Sequence, residues 1–208
     1  MRYYNIHTHR QTDSADTVEI VNCYPDDKIA SPGCYSLGIH PWYIQDAERQ
    51  MFLFREKSLL SEVVAVGEAG LDKLTATSFS LQQQIFEEQA LWAEKIRKPL
   101  IIHCVKSWSE LLFLKNRIRA SMPWIIHGFR GNSRLSVQLL SHGFYLSFSD
   151  RFQSGTLRPE ILDRVFFETD DRTVSIQDVY TYAASHLNIE TELLAERISG
   201  NVHRVFSI

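Results

Sequence analysis

Five of the eight histidines, His7, His9, His40, His103 and His127, fall in or at the ends of short apolar runs. In an extended strand residues two apart share a face, so His7 and His9 point the same way, together with Asn5. Two imidazoles on one face near a strand end are a ready pair of ligands for a divalent metal. His103 closes Pro-Leu-Ile-Ile-His and His127 closes Pro-Trp-Ile-Ile-His, while Glu68 follows Val-Val-Ala-Val-Gly and Asp170 follows Val-Phe-Phe-Glu-Thr. Taken one at a time, such residues are most often ordinary capped or solvated polar groups. Six of them, each placed where an apolar strand runs out and opened by His-x-His, make a stronger pattern. Four imidazoles and two carboxylates suffice for one or two divalent cations, with a carboxylate as the usual bridge. Carboxylates suit magnesium or manganese and imidazoles suit zinc.

Ligands scattered over some 160 residues converge only if the fold brings strand ends together, which directs attention to the elements. Eight strand-length segments are legible: Tyr3 to His9, Val18 to Tyr24, Cys34 to His40, Val63 to Gly67, Leu100 to Cys104, Trp124 to His127, Phe144 to Phe148 and Val165 to Thr169. Leu81, Ile85, Trp92 and Ile96 recur at helical steps until Pro99 stops them, and this is the clearest helix in the chain. Further helical patterns run over 108–119, 133–141 and 176–187. Alternation of strand and helix from Val63 onward argues for parallel strands joined by crossover helices. The fold class expected is α/β, a (β/α)8 TIM barrel whose active site lies at the C-terminal strand ends.

The first half breaks that rhythm. Residues 10–17, Arg-Gln-Thr-Asp-Ser-Ala-Asp-Thr, are too few and too polar for a packed crossover helix, and 25–33 contain two prolines. The helices after strands 1 and 2 are therefore expected to be reduced or missing. That fits a single domain of 208 residues, short beside the ~250 typical of this barrel. Strands bared on that side would expose apolar faces, so a homodimer through the thinned side is expected.

Charge narrows the partners. With 22 Lys+Arg against 25 Asp+Glu, the net charge of −3 leaves no basic footprint for gripping a long duplex. Cys23, Cys34 and Cys104 are an odd count with no Cys-x-x-Cys spacing, and they read as reduced core residues. Cys104 points away from the side His103 faces. The opening residues carry no long apolar stretch, and no run approaches the ~18 residues of a membrane span. A cytoplasmic protein with no membrane partner is expected.

In order and spacing, several segments resemble the TatD-related family of metal-dependent hydrolases, the TatD DNases, within the amidohydrolase-like barrels. These are Asn5–Arg10, Gly38–Trp42, Val66–Asp72, Gln82–Cys104, Ile125–Asn132, Phe167–Asp170 and Ser199–Phe206, so the resemblance covers nearly the whole chain. It implies one metal held by His7, His9, Glu68 and Asp170 and a second by Glu68, His103 and His127, with Glu68 bridging. The chemistry expected of such a ligand set is hydrolysis by a metal-activated water with Asp170 as general base, and the resemblance implies DNA as the first substrate to try, through a deoxyribonuclease or 3′ exonuclease activity. His40 matches a position near the site that is not normally a ligand, suited to substrate contact or support of the ligands.

Three departures stand out. Asn5 replaces the family's usual Asp, which removes a negative charge beneath the metals. Val105 stands where an Arg suited to phosphate is usual, and Lys106 beside it is expected to contact substrate. Arg130 takes a place where a small hydroxyl residue is common, and it is the residue expected to supply part of the missing anion contact. Two other readings stand beside the nuclease: a hydrolase of small esters, phosphoesters, amides or lactones, and a metal-binding scaffold without catalysis.

Overall fold

The computed structural model describes residues 1–12 and 14–208. Among the described residues there are eight strands: β1 (Tyr3–Thr8), β2 (Thr17–Cys23), β3 (Tyr35–Leu37), β4 (Val63–Asp72), β5 (Leu100–Val105), β6 (Trp124–Ile126), β7 (Phe144–Phe148) and β8 (Val165–Phe167). They follow chain order in one sheet, β1 to β8, which is the strand order of a (β/α)8 barrel. The helices are α1 (Ala47–Lys57), α2 (Phe79–Ile96), α3 (Trp108–Ile118), α4 (Ser133–Ser141), α5 (Ile176–Leu187) and α6 (Thr191–Phe206), with a 3-10 helix at Pro159–Arg164. By internal contacts the chain divides into two compact units, residues 1–21 with 126–208, and residues 22–125.

In the first unit β1 pairs in parallel with β2, and β7 with β8. The other edge of β1 meets the end of β8 through a parallel bridge between Thr8 and Asp170. The apolar side chains of Ile6, Leu146, Phe148, Phe166 and Phe167 are fully buried. Two polar anchors set the helices against these strands. The Tyr180 hydroxyl of α5 donates to the Tyr4 carbonyl (3.1 Å) and accepts from the Tyr4 N–H (3.3 Å). The Asn201 amide of α6 donates to the carbonyls of Leu162 and Val165 at 2.7 and 2.9 Å. That gives the Ser-Gly-Asn-Val-His-Arg stretch a structural meaning: it clamps the entrance to β8.

In the second unit β3, β4 and β5 pair in parallel. Helix α2 packs on them through Gln82, Ile85, Phe86, Gln89, Ala90 and Ala93, the spacing of one helical face. Gly70 lies opposite His103 across β4 and β5, and a Cβ there would sit 1.9 Å from the His103 carbonyl oxygen. The neighbour is backbone and cannot yield. Gly70→Ala is therefore expected to cost about 2–4 kcal/mol in a urea titration, as overpacking against rigid main chain does. A loss under about 0.5 kcal/mol would show that the strands separate easily at that point.

No helix is seen among the described residues between β1 and β2 or between β2 and β3, so the thinning expected from the sequence is present. A third connection is thin as well, since only the 3-10 helix precedes β8. Two helices lie outside the sequence expectation. Asp46 caps α1 by accepting from the Arg49 N–H at 3.1 Å, and its buried Gln50, Met51 and Phe54 are dispersed among charged residues. Helix α6 buries Leu194, Ile198, Val202 and Val205, a readable helical spacing interrupted by Gly200. Among the described residues, no helix is long and apolar enough to cross a membrane.

Candidate metal centre

The structure places the sequence-predicted ligands in two clusters, one in each unit. In the first unit His7, His127 and Asp170 each offer a ligand atom within 4.8 Å of the others. Asp170 Oδ1 lies 3.6 Å from His7 Nε2 and 3.5 Å from His9 Nε2. Those separations are longer than good hydrogen bonds. They match the ~3.4 Å expected between ligands of a tetrahedral cation with bonds of about 2.0–2.1 Å. The backbone fixes the arrangement: the Asp170 N–H donates to the His7 carbonyl at 3.0 Å, and the His9 N–H donates to the Asp170 carbonyl at 3.1 Å. Asp170 is held at φ 56, in the left-handed region that Asp tolerates better than most residues.

Beneath this cluster Asn5 explains its own departure from Asp. Its Oδ1 accepts from the Thr169 N–H (3.0 Å) and its Nδ2 donates to Thr169 Oγ1 (2.8 Å). Thr169 Oγ1 then donates to Thr8 Oγ1 at 3.2 Å, which donates to the Arg10 carbonyl at 3.0 Å. An ionised Asp cannot donate, so only an amide at position 5 drives the hydroxyls in that direction. His127 turns Nδ1 to Glu168 Oε1 at 3.3 Å, and the same oxygen accepts from the Gly128 N–H at 2.7 Å. Glu168 is fully buried.

In the second unit Glu68 is 3% exposed, with Oε1 2.9 Å from His103 Nδ1 and 3.1 Å from His40 Nε2. Its own N–H donates to Asn22 Oδ1 at 2.8 Å. The far side of the His103 ring, Nε2, lies 3.1 Å from Asp72 Oδ2. A carboxylate on one ring nitrogen turns the other toward a cation, the usual support of a metal-ligating histidine. The 2.9 Å between His103 Nδ1 and Glu68 Oε1 equals the spacing of two ligands at right angles on bonds of about 2.0–2.1 Å. His40 is different. The Trp42 N–H donates to His40 Nδ1 at 3.1 Å, so that nitrogen carries no proton and Nε2 carries the one donated to Glu68. A protonated nitrogen is no metal ligand, so His40 orients the Glu68 carboxylate.

Two buried glutamines two turns apart on α2 hold this cluster by its backbone. Gln89 bonds both the N–H and the carbonyl of Ile39, at 2.7 and 3.1 Å, just before His40. Gln82 accepts from the Asp72 N–H at 2.8 Å and donates to the Asp72 carbonyl at 3.0 Å. Burial pushes the Asp72 carboxyl up, but bonds from the Trp42 indole, the Leu74 N–H and His103 outweigh it and hold it below the ordinary range.

Several positional expectations need correction. Glu68 does not follow its strand but lies inside it, because β4 runs on to Asp72, and β5 runs past His103 to Val105. Pairing continues there because Gly70 lets the two strands approach. Asp72 and Glu168 lie outside the sequence-derived site, yet Asp72 stood in plain view: four residues from Glu68 in one strand, it shares a face with it. Glu168, two residues before Asp170, carried the same alternation signal, but only the fold shows that its partner is His127, 41 residues away. Of the residues expected to touch substrate, His40 is buried, while Lys106 and Arg130 are exposed. Burial raises the thiols of Cys23 and Cys104 to about 11 and about 12, which keeps them protonated at neutral pH.

A family model described as TatD related DNase matches residues 4–207. The chain belongs to the TatD-related DNase family. Similar proteins include an uncharacterized metal-dependent hydrolase of Buchnera aphidicola, 28% identical over 195 residues, covering 83% of this chain and 74% of that protein. A protein of Edwardsiella piscicida named 3′-5′ ssDNA/RNA exonuclease TatD is 29% identical over 187 residues, covering 85% of this chain and 70% of its own length. Among solved structures, the TatD homologue YJJV of Escherichia coli K12 superposes with a TM-score of 0.85 at 18% identity, over 100% of this chain and 98% of that one. A TatD family hydrolase of Entamoeba histolytica gives 0.78 at 14% identity, over 99% and 98%. The fold is thus the (β/α)8 barrel of the TatD structures, with fewer crossover helices than the full set.

Proposed function

We propose that this TatD-family chain is a divalent-metal-dependent hydrolase of phosphodiester bonds, acting at the 3′ ends of single-stranded DNA. The observation that carries the reading is the completeness of the ligand set: all six family positions hold a histidine or carboxylate, each beside another in its own unit. Membership in a family with nuclease-named relatives supports the substrate class.

In this reading His7, His9, Glu68 and Asp170 would hold one ion, and Glu68, His103 and His127 a second. Magnesium, manganese or zinc would lower the pKa of water toward neutrality and polarise the phosphoryl oxygen. The chain's residues then have separate tasks. Asp170 Oδ1 accepts the proton of the attacking water. His40 and Asn22 hold Glu68 through its carboxylate and its N–H. Asp72 and Glu168 turn the rings of His103 and His127 so that one nitrogen of each faces the ion.

Arg130 would hold the phosphate in place of the Arg that Val105 replaces, and Lys106, beside Val105, is a separate candidate cation. Arg130→Ala is expected to raise KM for an oligonucleotide about tenfold with kcat little changed, the effect of losing one charge-assisted contact. Unchanged KM across all anionic substrates tested would remove Arg130 from the site.

The decisive experiment combines metal analysis of the purified protein with a panel of phosphodiesters, esters and amides, each with added metal and with chelator. Metal-dependent turnover of single-stranded DNA supports the proposal. Turnover confined to esters, lactones or amides, or bound metal with no turnover, would overturn it in favour of the other hydrolase or the scaffold.

A further inference from the structure

Trp42 is half exposed (51%) yet rigidly tethered. Its indole Nε1 donates to the buried Asp72 carboxylate at 2.7 Å, and its N–H donates to His40. The ring stands edge-on to His40 at 5.0 Å and to His103 at 5.5 Å, centroid to centroid. Tyr43, 46% exposed, follows at 6.3 Å with its plane turned by 75°, and is itself braced by Tyr24 at 5.3 Å. Isolated exposed aromatics are ordinary surface features. Here two adjacent, half-exposed rings stand at a near right angle, with the Trp42 indole N–H already committed to Asp72 and the Trp42 ring set beside His103. A planar ligand can lie on one ring and meet the edge of the other.

We propose that Trp42 and Tyr43 form a stacking subsite for the terminal base of a single-stranded nucleic acid chain. The inference rests on the nuclease reading and deepens it, because it assigns recognition to the base rather than to the backbone. Charge favours that assignment: the chain carries a net −3, and Val105 stands where a phosphate-binding Arg would be, so backbone grip is weak. Stacking supplies sequence-tolerant affinity without cations. The Asp72 tether adds preorder to the ring without being what stacks: the carboxylate that orients His103 orients Trp42 too.

The test uses metal-loaded protein and two labelled single-stranded decamers, one ending in a normal 3′ nucleotide and one in an abasic residue. A hydrolysis-resistant phosphorothioate as the last linkage permits equilibrium binding, and unmodified decamers report turnover. Wild type is expected to prefer the base-terminated strand about tenfold. Trp42→Leu should cut that preference below about twofold, Tyr43→Leu should cut it in part, and Trp42→Phe, which keeps a ring but loses the Asp72 bond, should keep most of it. Equal loss in Trp42→Phe and Trp42→Leu would make Trp42 a positioning residue and overturn the stacking role. Wild-type turnover without base preference overturns the subsite alone. Base-dependent binding without turnover keeps the subsite and overturns the nuclease reading, and absence of both overturns both. If Trp42→Leu does not fold, Tyr43→Leu and Trp42→Phe still decide between these outcomes.

Discussion

Asp170→Asn is expected to lower kcat for metal-dependent hydrolysis by about 10³-fold or more while leaving the fold intact. An amide oxygen is nearly as large as a carboxylate oxygen but accepts no proton, so the substitution removes general-base capacity, commonly worth ~10²–10⁴-fold, together with one charged ligand. Structure should survive for two local reasons. Asn adopts the left-handed backbone as readily as Asp, so φ 56 is not strained by the change. The bonds that tie residue 170 to His7 and His9 are main-chain bonds and do not involve the carboxylate. Urea unfolding should therefore shift by no more than about 0.5 kcal/mol. A variant that folds normally and retains kcat within tenfold of wild type would remove Asp170 from the chemistry.

Glu68→Gln should have a comparable effect on turnover, through metal rather than proton transfer. Glu68 is a buried carboxylate, and in the proposed arrangement it is the one group both ions share. Without metal, a neutral amide is easier to bury than a carboxylate and can still accept from His40 Nε2, so the metal-free variant should be at least as stable as wild type. With metal the order reverses. An ion that binds only the folded state adds about 2.7 kcal/mol of stability at 100 times its Kd, so added metal should raise the wild-type Tm by several degrees. The variant should show little or no such rise, and its metal content after dialysis should fall. Thermal melts with and without metal, read beside elemental analysis, check this independently of any substrate. A Gln variant with undiminished metal content and an undiminished rise in Tm would exclude Glu68 as a ligand.

Much of the candidate site is legible because its residues sit on strands or within three residues of their ends. His7 and His9 share a face through period-two alternation, and apolar runs marked the segments that carry His103, His127 and Asp170. Glu68 stands out in the sequence beside an apolar run, but the strand boundary read there is wrong. Its strand does not end at Gly67, because Gly70 removes the side chain that would otherwise push β4 and β5 apart. Helix α1 went unread because its buried Met51 and Phe54 are scattered among charged residues, so that its one clear mark is the Asp46 cap. Helix α6 went unread because Gly200 interrupts an otherwise regular spacing.

The amino-acid sequence by itself determined which imidazoles and carboxylates stand near strand ends, the parallel strand order and the thinning after the first two strands. These depend on residue identity and spacing along the chain, and no contact between distant residues is needed to state them. Tertiary structure alone decided how each ligand is held. The proton on His40 Nε2 follows from the Trp42 N–H that occupies the other nitrogen, and the orientations of His103 and His127 follow from Asp72 and Glu168. The direction of the hydroxyl chain follows from the amide of Asn5, 164 residues from its partner. Hydrogen bonds and ring contacts act over a few ångströms of space at any separation in sequence, so these assignments required the folded chain.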